Sequence, residues 1–377
     1  MKTPKMKRLT GVLLWLSMAL CVFASGSMFS TPASEGGVLF PAPEPGNGWQ
    51  TTTPEEAGFS SLELTTVCEK VEQGKYGPIQ SLLIVRNGKL AFERYFRGLE
   101  GEDLVQLFSV TKSVSSLVLG VLFDKGLLPD VQTPIYQLLG QEYQKFFEAM
   151  PEKKEISLQD VLTMRAGFEW NENEVSYNSS MNDYIRLTST SDPLGYLLVK
   201  SLETQPGSEF LYNGGLTTLL SAIAQGVSGV HVDTLAQQFL FEPLGIENFT
   251  WERTRKQPER WTQTGYSLRL CARDLLKIGQ LVLDRGFWEG ESLVSAQWLT
   301  QSTQRLARVN AQTSYGYQWW ITTSNGLEVI AALGWGGQDL LIVPARNLVV
   351  VITATPYQDD ARSFTLFSEQ VLPLLVD

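Results

Sequence analysis

The apolar positions of this chain follow a strand-like pattern towards both ends and a helical one between them. Gln80 to Val85 and Leu90 to Phe96 are apolar, β-prone runs separated by Arg86-Asn87-Gly88-Lys89. Asn-Gly supplies the positive φ angles of a tight turn, so the two runs predict a β-hairpin. From Val110 the spacing changes. Val110, Val114, Leu117, Val118, Val121 and Leu122 recur on one helical face, and Gly126 followed by Pro129 predicts where that helix stops. The middle of the chain predicts further helices over Ser157 to Met164, Leu216 to Val227, Val232 to Leu240 and Ala272 to Asp284, joined by long loops. From Tyr315 the pattern is β again: Tyr317 to Thr322, Leu327 to Leu333, Asp339 to Val343 and Leu348 to Ala354. Ser324-Asn325-Gly326 and Pro344-Ala345-Arg346-Asn347 supply turn chemistry between them. Ala361 to Leu375 reads as a closing helix.

Strands, then helices, then strands is the order of an α+β fold in which two end segments join one antiparallel sheet. The sheet region is expected over about 49–126 and 311–377, with a mainly helical region inserted over about 127–310. No internal repeat is visible. The helix that begins near Ser109 would lie at the seam between the two regions, where pockets usually form.

Composition narrows the class. The chain has 377 residues, 43% of them apolar, with ten tryptophans, enough for a large packed core. Its formal charge is −10, and four of its basic residues (Lys2, Lys5, Lys7, Arg8) fall in the first ten positions, so the remainder is more acidic still. Such a surface has no electrostatic footprint for nucleic acid. The basic start precedes an apolar run from Leu9 to Ala24, shorter than a spanning helix wants. Residues 1–24 are therefore expected to be a signal peptide cut after Ala24, and 25–48, rich in Gly, Pro and Ser, a linker before a domain over 49–377. The protein is then expected to be exported, periplasmic or extracellular; an uncleaved membrane anchor is the alternative. Cys68 and Cys271 would remain. Spacing alone cannot show whether they pair, and two buried free thiols is the preferred reading. No Cys/His cluster suggests a metal site.

The candidate chemistry is a serine and a lysine. Ser109 and Lys112 stand three residues apart at the head of the apolar helix, so hydroxyl and amine share a face. At a helix start, free backbone N–H groups favour the negative charge that develops in acyl transfer. Lys112 lies among Val and Leu, and desolvation lowers a lysine pKa until a neutral amine can take the serine proton. The one histidine, His231, looks like the polar entrance to a helix. A Ser with Lys three on is nonetheless expected about once in a chain this long by chance.

The wider sequence adds specificity. Leu107 to Leu128, with Ser109 and Lys112, resembles the active-site helix of the serine β-lactamase and penicillin-binding-protein superfamily. The segments Ile156 to Gly167, Pro206 to Gly215, Phe241 to Ile246 and Tyr315 to Trp320 are similar to those of class C β-lactamase-related hydrolases, including 6-aminohexanoate-dimer hydrolases and esterases. The resemblance runs from about 55 to 356. It implies a β-lactamase/transpeptidase-like fold and a serine hydrolase that needs no cofactor. It also implies that Tyr212 shuttles a proton between the nucleophile and the leaving group, and that the N–H of Gln338 joins that of Ser109 as the oxyanion hole.

Two positions depart from the family pattern. The amide that follows the tyrosine motif in β-lactamases is replaced by Gly214, and the cation of the third motif by Trp335, followed by Gly336 and Gly337. A cation there would pair with a substrate carboxylate, and tryptophan cannot. The expectation is a small neutral or hydrophobic amide or ester as substrate. Acyl transfer to an amine, β-lactam or D-amino-acid peptide hydrolysis, and a protein that binds without turning over are the alternatives.

Overall fold

The computed structural model describes residues 40–254, 256, 260–355 and 361–375. Its centre is an eight-stranded sheet. The strands are β1 (Ile79–Arg86), β2 (Lys89–Tyr95), β3 (Ala307–Arg308), β4 (Ser314–Tyr315), β5 (Trp320–Ser324), β6 (Leu327–Gly334), β7 (Gln338–Val343) and β8 (Leu348–Ala354). Their order is β2-β1-β8-β7-β6-β5-β4-β3, every pair antiparallel. The N-terminal hairpin thus pairs with the last strand, as the strand–helix–strand order predicts. Asn87 and Gly88 take φ angles of 51° and 74°, the geometry that lets a two-residue turn follow the sheet twist.

Both faces of the sheet are buried, so its inner strands are apolar on both sides. Leu83, Val85, Val349 and Val351 face one core; Leu82, Ile84, Val350 and Ile352 face the other. The second core is closed by α1 (Ser61–Glu72) and the C-terminal helical segment from Ser363. The first is closed by α2 (Val110–Asp124), α3 (Gly214–Ser228) and α4 (Ala272–Leu283), among others. Helix α2 is buried on every side from Val110 to Leu122, and the polar side chains it buries, such as Lys112, Ser113 and Ser115, are hydrogen-bonded. The chain turns out of it at Gly126, φ 68°.

Several expectations are corrected. Helix α4 falls inside the stretch expected as a helical insertion, yet it lies on the sheet against β7 and β8. A Cβ on its Gly279 would come within 2.5 Å of Val349, so the close approach needs glycine. The strand expected from Tyr317 begins at Trp320, because Gln318 sits at φ 65°. Helix α1 was not anticipated, although Ser60 caps it by accepting from the Glu63 N–H. The closing helix is present as one continuous helical stretch, its winding passing from α over Ser363–Leu366 to π over Phe367–Val371 and 3-10 over Leu372–Leu374. The described end of the expected linker is tied down: Asn47 bonds Asp274 and Lys277, and Phe40 packs edge-on against Phe92. The expected signal peptide lies outside the described residues. Cys68 and Cys271 are buried free thiols. Among the described residues no helix is long and apolar enough to cross a membrane.

Candidate active site

Ser109 is the N-cap residue of α2, as its place before the apolar run predicts. The residue before it, Phe108, is held at φ 46°, an uncommon conformation for a bulky side chain that turns the chain sharply into the helix. Beside this turn lies the end of β6: a Cβ on Gly334 would overlap the Leu107 carbonyl, so only glycine lets that strand approach.

The Lys112 side chain runs back along the helix face to the serine. Its Nζ lies 3.0 Å from Ser109 Oγ and 2.8 Å from the Gly265 carbonyl oxygen. Lys112 is 1% exposed. Burial pulls its ammonium down from 10.5 to about 8, against an opposing push from the negative charge of Glu172. Aromatic rings complete its surroundings, those of Tyr212 and Tyr184 lying 5.1 and 5.3 Å from Nζ.

Tyr212 comes from the loop that leads into α3. Asn213 caps that helix, its side chain accepting from the Gly215 and Leu216 N–H groups. The tyrosine ring stacks on Trp320 at 5.7 Å and meets Tyr315 edge-on. Its phenol interacts with the Ser109 hydroxyl. Burial first, and then Glu172, raise its pKa well above that of free tyrosine, while the serine contact partly offsets this. The phenol is accordingly a neutral proton donor at ordinary pH.

The remaining predicted positions fall around the same centre. Trp335, Gly336 and Gly337 form the turn between β6 and β7, the glycines at φ 77° and 90°. The Trp335 ring meets Phe108 at 5.2 Å and Tyr177 at 5.9 Å, so it stands on the serine's side of the turn. Gln338 opens β7 opposite Gly334. Its side chain is held by the Ala354 backbone, donating to the carbonyl and accepting from the N–H. Gly214 lies at the head of α3, and its N–H donates to Glu172 Oε2 at 2.6 Å. His231 heads the short helix Val232–Ala236, beside Asp233 and Arg253, as its sequence context suggests.

Sequence reasoning missed Glu172, Tyr177, Tyr184 and Gly265. Glu172, Tyr177 and Gly265 sit in irregular segments where no periodicity marks them, and Tyr184 opens a short helix. The one available cue is Glu172, an acid between Trp170 and the polar run that follows.

The family model described as Beta-lactamase matches residues 70–365. The 6-aminohexanoate-dimer hydrolase of Paenarthrobacter ureafaciens is 24% identical over 304 residues, 75% of this chain and 74% of that protein. A Bacillus anthracis structure provisionally named a 6-aminohexanoate-dimer hydrolase aligns with a TM-score of 0.69 at 20% identity, over 82% of this chain and 81% of the other. A family VIII carboxylesterase aligns at 0.63 and 16% identity, over 83% and 96%. These structural likenesses carry the fold, α+β and β-lactamase/transpeptidase-like. With its match to the family model spanning most of its length, the chain belongs to the β-lactamase family and is a serine hydrolase of that family.

Proposed function

We propose that Ser109 is the nucleophile and Lys112 the base of an acyl-enzyme mechanism acting on a small neutral or hydrophobic amide or ester. The observation that carries this reading is the 3.0 Å contact between Ser109 Oγ and a lysine amine that burial has brought to about 8. A neutral Lys112 takes the hydroxyl proton as Oγ attacks the substrate carbonyl. The tetrahedral oxyanion is received by the backbone N–H of Ser109 at the helix start and that of Gln338. Tyr212 gives its proton to the departing amine or alkoxide and regains one from the Lys112 ammonium. Water then hydrolyses the ester bond to Ser109, with the same groups acting in reverse.

The substrate class rests on Trp335. Its ring, flanked by Phe108 and Tyr177, makes an apolar wall where a carboxylate-binding cation would stand in a penicillin-recognising relative. The names of its relatives, a 6-aminohexanoate-dimer hydrolase and a carboxylesterase, fit a site for linear amides or simple esters. Export, read from the N-terminal segment, would place this activity outside the cytoplasm.

A panel of short-chain nitrophenyl esters, a linear amide oligomer and a chromogenic cephalosporin tests the reading. Turnover of an ester or the amide, lost in Ser109→Ala, is the expected result. A cephalosporin turned over fastest would overturn the substrate class.

A further inference from the structure

Glu172 has no part in the mechanism above, yet it is 2% exposed at the edge of the site. Its Oε2 accepts from the Trp170 Nε1–H at 2.7 Å and the Gly214 N–H at 2.6 Å, and its Oε1 from the Tyr177 hydroxyl at 2.8 Å. All three groups donate to it, the pattern an acceptor-only carboxylate satisfies. Its own carbonyl accepts from the Asn182 side chain, which fixes the loop that carries it.

Those partners span the site. Gly214 lies two residues beyond Tyr212, at the start of α3. Tyr177 backs the Trp335 ring. We propose that Glu172 is a positioning residue, whose carboxylate locks the Tyr212 segment to the Tyr177–Trp335 wall and supplies the negative charge that Lys112 and Tyr212 feel. The inference rests on the reading of Ser109 and Lys112 as nucleophile and base.

The charge has a direction. Lys112 is faced by Ser109 from its own helix, by Tyr212 and Tyr184 from the segments beside it, by the Gly265 carbonyl and by Glu172. The Glu172 charge raises the proton affinity of Lys112 and of the Tyr177, Tyr184, Tyr212 and Tyr315 phenols. It therefore opposes formation of a tyrosinate and keeps part of the lysine population protonated. A purely mechanical brace would do neither.

Glu172→Gln keeps the size and an acceptor oxygen and removes the charge. In this variant the acidic limb of kcat/KM on a neutral nitrophenyl ester should move to lower pH by roughly half to one pH unit. A limb that stays in place while the variant is folded and active overturns the electrostatic role. Tyr177→Phe keeps the charge and the Gly214 bond and cuts the link to the wall. It should raise KM several-fold with kcat and the limb little changed; an unchanged KM overturns the bracing role, which this variant tests even should Glu172→Gln not fold. Ser109→Ala serves as the control. Ester hydrolysis that persists in it would fail the nucleophile assignment itself, an outcome separate from a normal Ser109 dependence with an unmoved limb.

Discussion

The ring of Tyr184 fills the space that a side chain at Gly214 would need. A Cβ built at Gly214 would lie 2.6 Å from Cδ2 and Cε2 of that ring. The missing amide of the tyrosine motif is therefore a replacement: an aromatic face stands where the β-lactamases carry a polar group, beside Lys112.

Gly214→Asn should destabilise the fold by about 1–3 kcal/mol, the usual result of overpacking a dense site. The effect should shrink when Tyr184 is also truncated. In a cycle of Gly214→Asn, Tyr184→Ala and the double variant, urea unfolding should give a favourable coupling above about 0.5 kcal/mol. Additive losses would mean that the two residues do not compete for this space.

Asp339 predicts an unusual pH dependence. The carboxyl is buried beneath the Ser363 hydroxyl, and one oxygen, Oδ2, has no partner. Burial raises its pKa from 3.8 to about 7, with Ser363 pulling slightly the other way. Below 3.8 the group is neutral in both folded and unfolded chains and costs nothing. As pH rises from there to about 7 the unfolded chain gives up the proton first, so stability is progressively lost. Asp339→Asn should remove this slope. The unfolding free energy of the variant should gain on wild type between pH 4 and pH 7.5, and a difference that is constant over that range contradicts the assignment.

Trp335→Lys tests the wall. A lysine ammonium could give a substrate carboxylate one charged hydrogen bond, about 1.5–3 kcal/mol when well placed. It would also expose Phe108 and Tyr177, which now pack against the indole. The kcat/KM ratio of a cephalosporin to nitrophenyl butyrate should rise in the variant. A flat ratio would place Trp335 outside the substrate's reach.

The pH profile separates lysine from histidine as base. With Lys112 as base, kcat/KM should climb with pH through a midpoint near 8 and level off above it. His231, whose pKa is lowered from 6.5 by burial and by Arg253 despite Asp233, would give a limb below that value. His231→Ala should leave kcat/KM within about twofold of wild type, since changes away from a site have small effects. A collapse of activity there would replace the lysine mechanism.

What the sequence could reveal divides along the range of the forces involved. The hairpin at Asn87-Gly88, helix α2 and the place of Ser109 at its start follow from neighbours within a few residues, and all are present. The 317–319 segment misled because its turn is imposed from afar. Gln318 holds its left-handed conformation through its N–H and side-chain bonds to Leu162 and Thr217 and through the Ser113 hydroxyl, partners up to 205 positions away. The same holds at the site. Lys112 was visible because it shares a helix face with Ser109, whereas Tyr184, Gly265 and Glu172 reach it only through the folding of distant loops.

The most direct test of the account is the site of acylation. Wild type should be mixed with nitrophenyl butyrate, quenched within the first turnover, and analysed by peptide mass spectrometry. One butyryl group on the peptide bearing Ser109 is the predicted result, with none in a folded Ser109→Ala and much less in Lys112→Ala at the same time. Butyrylation of another residue, or Ser109→Ala turning over above about a thousandth of the wild-type rate, would contradict the assignment of Ser109 as nucleophile.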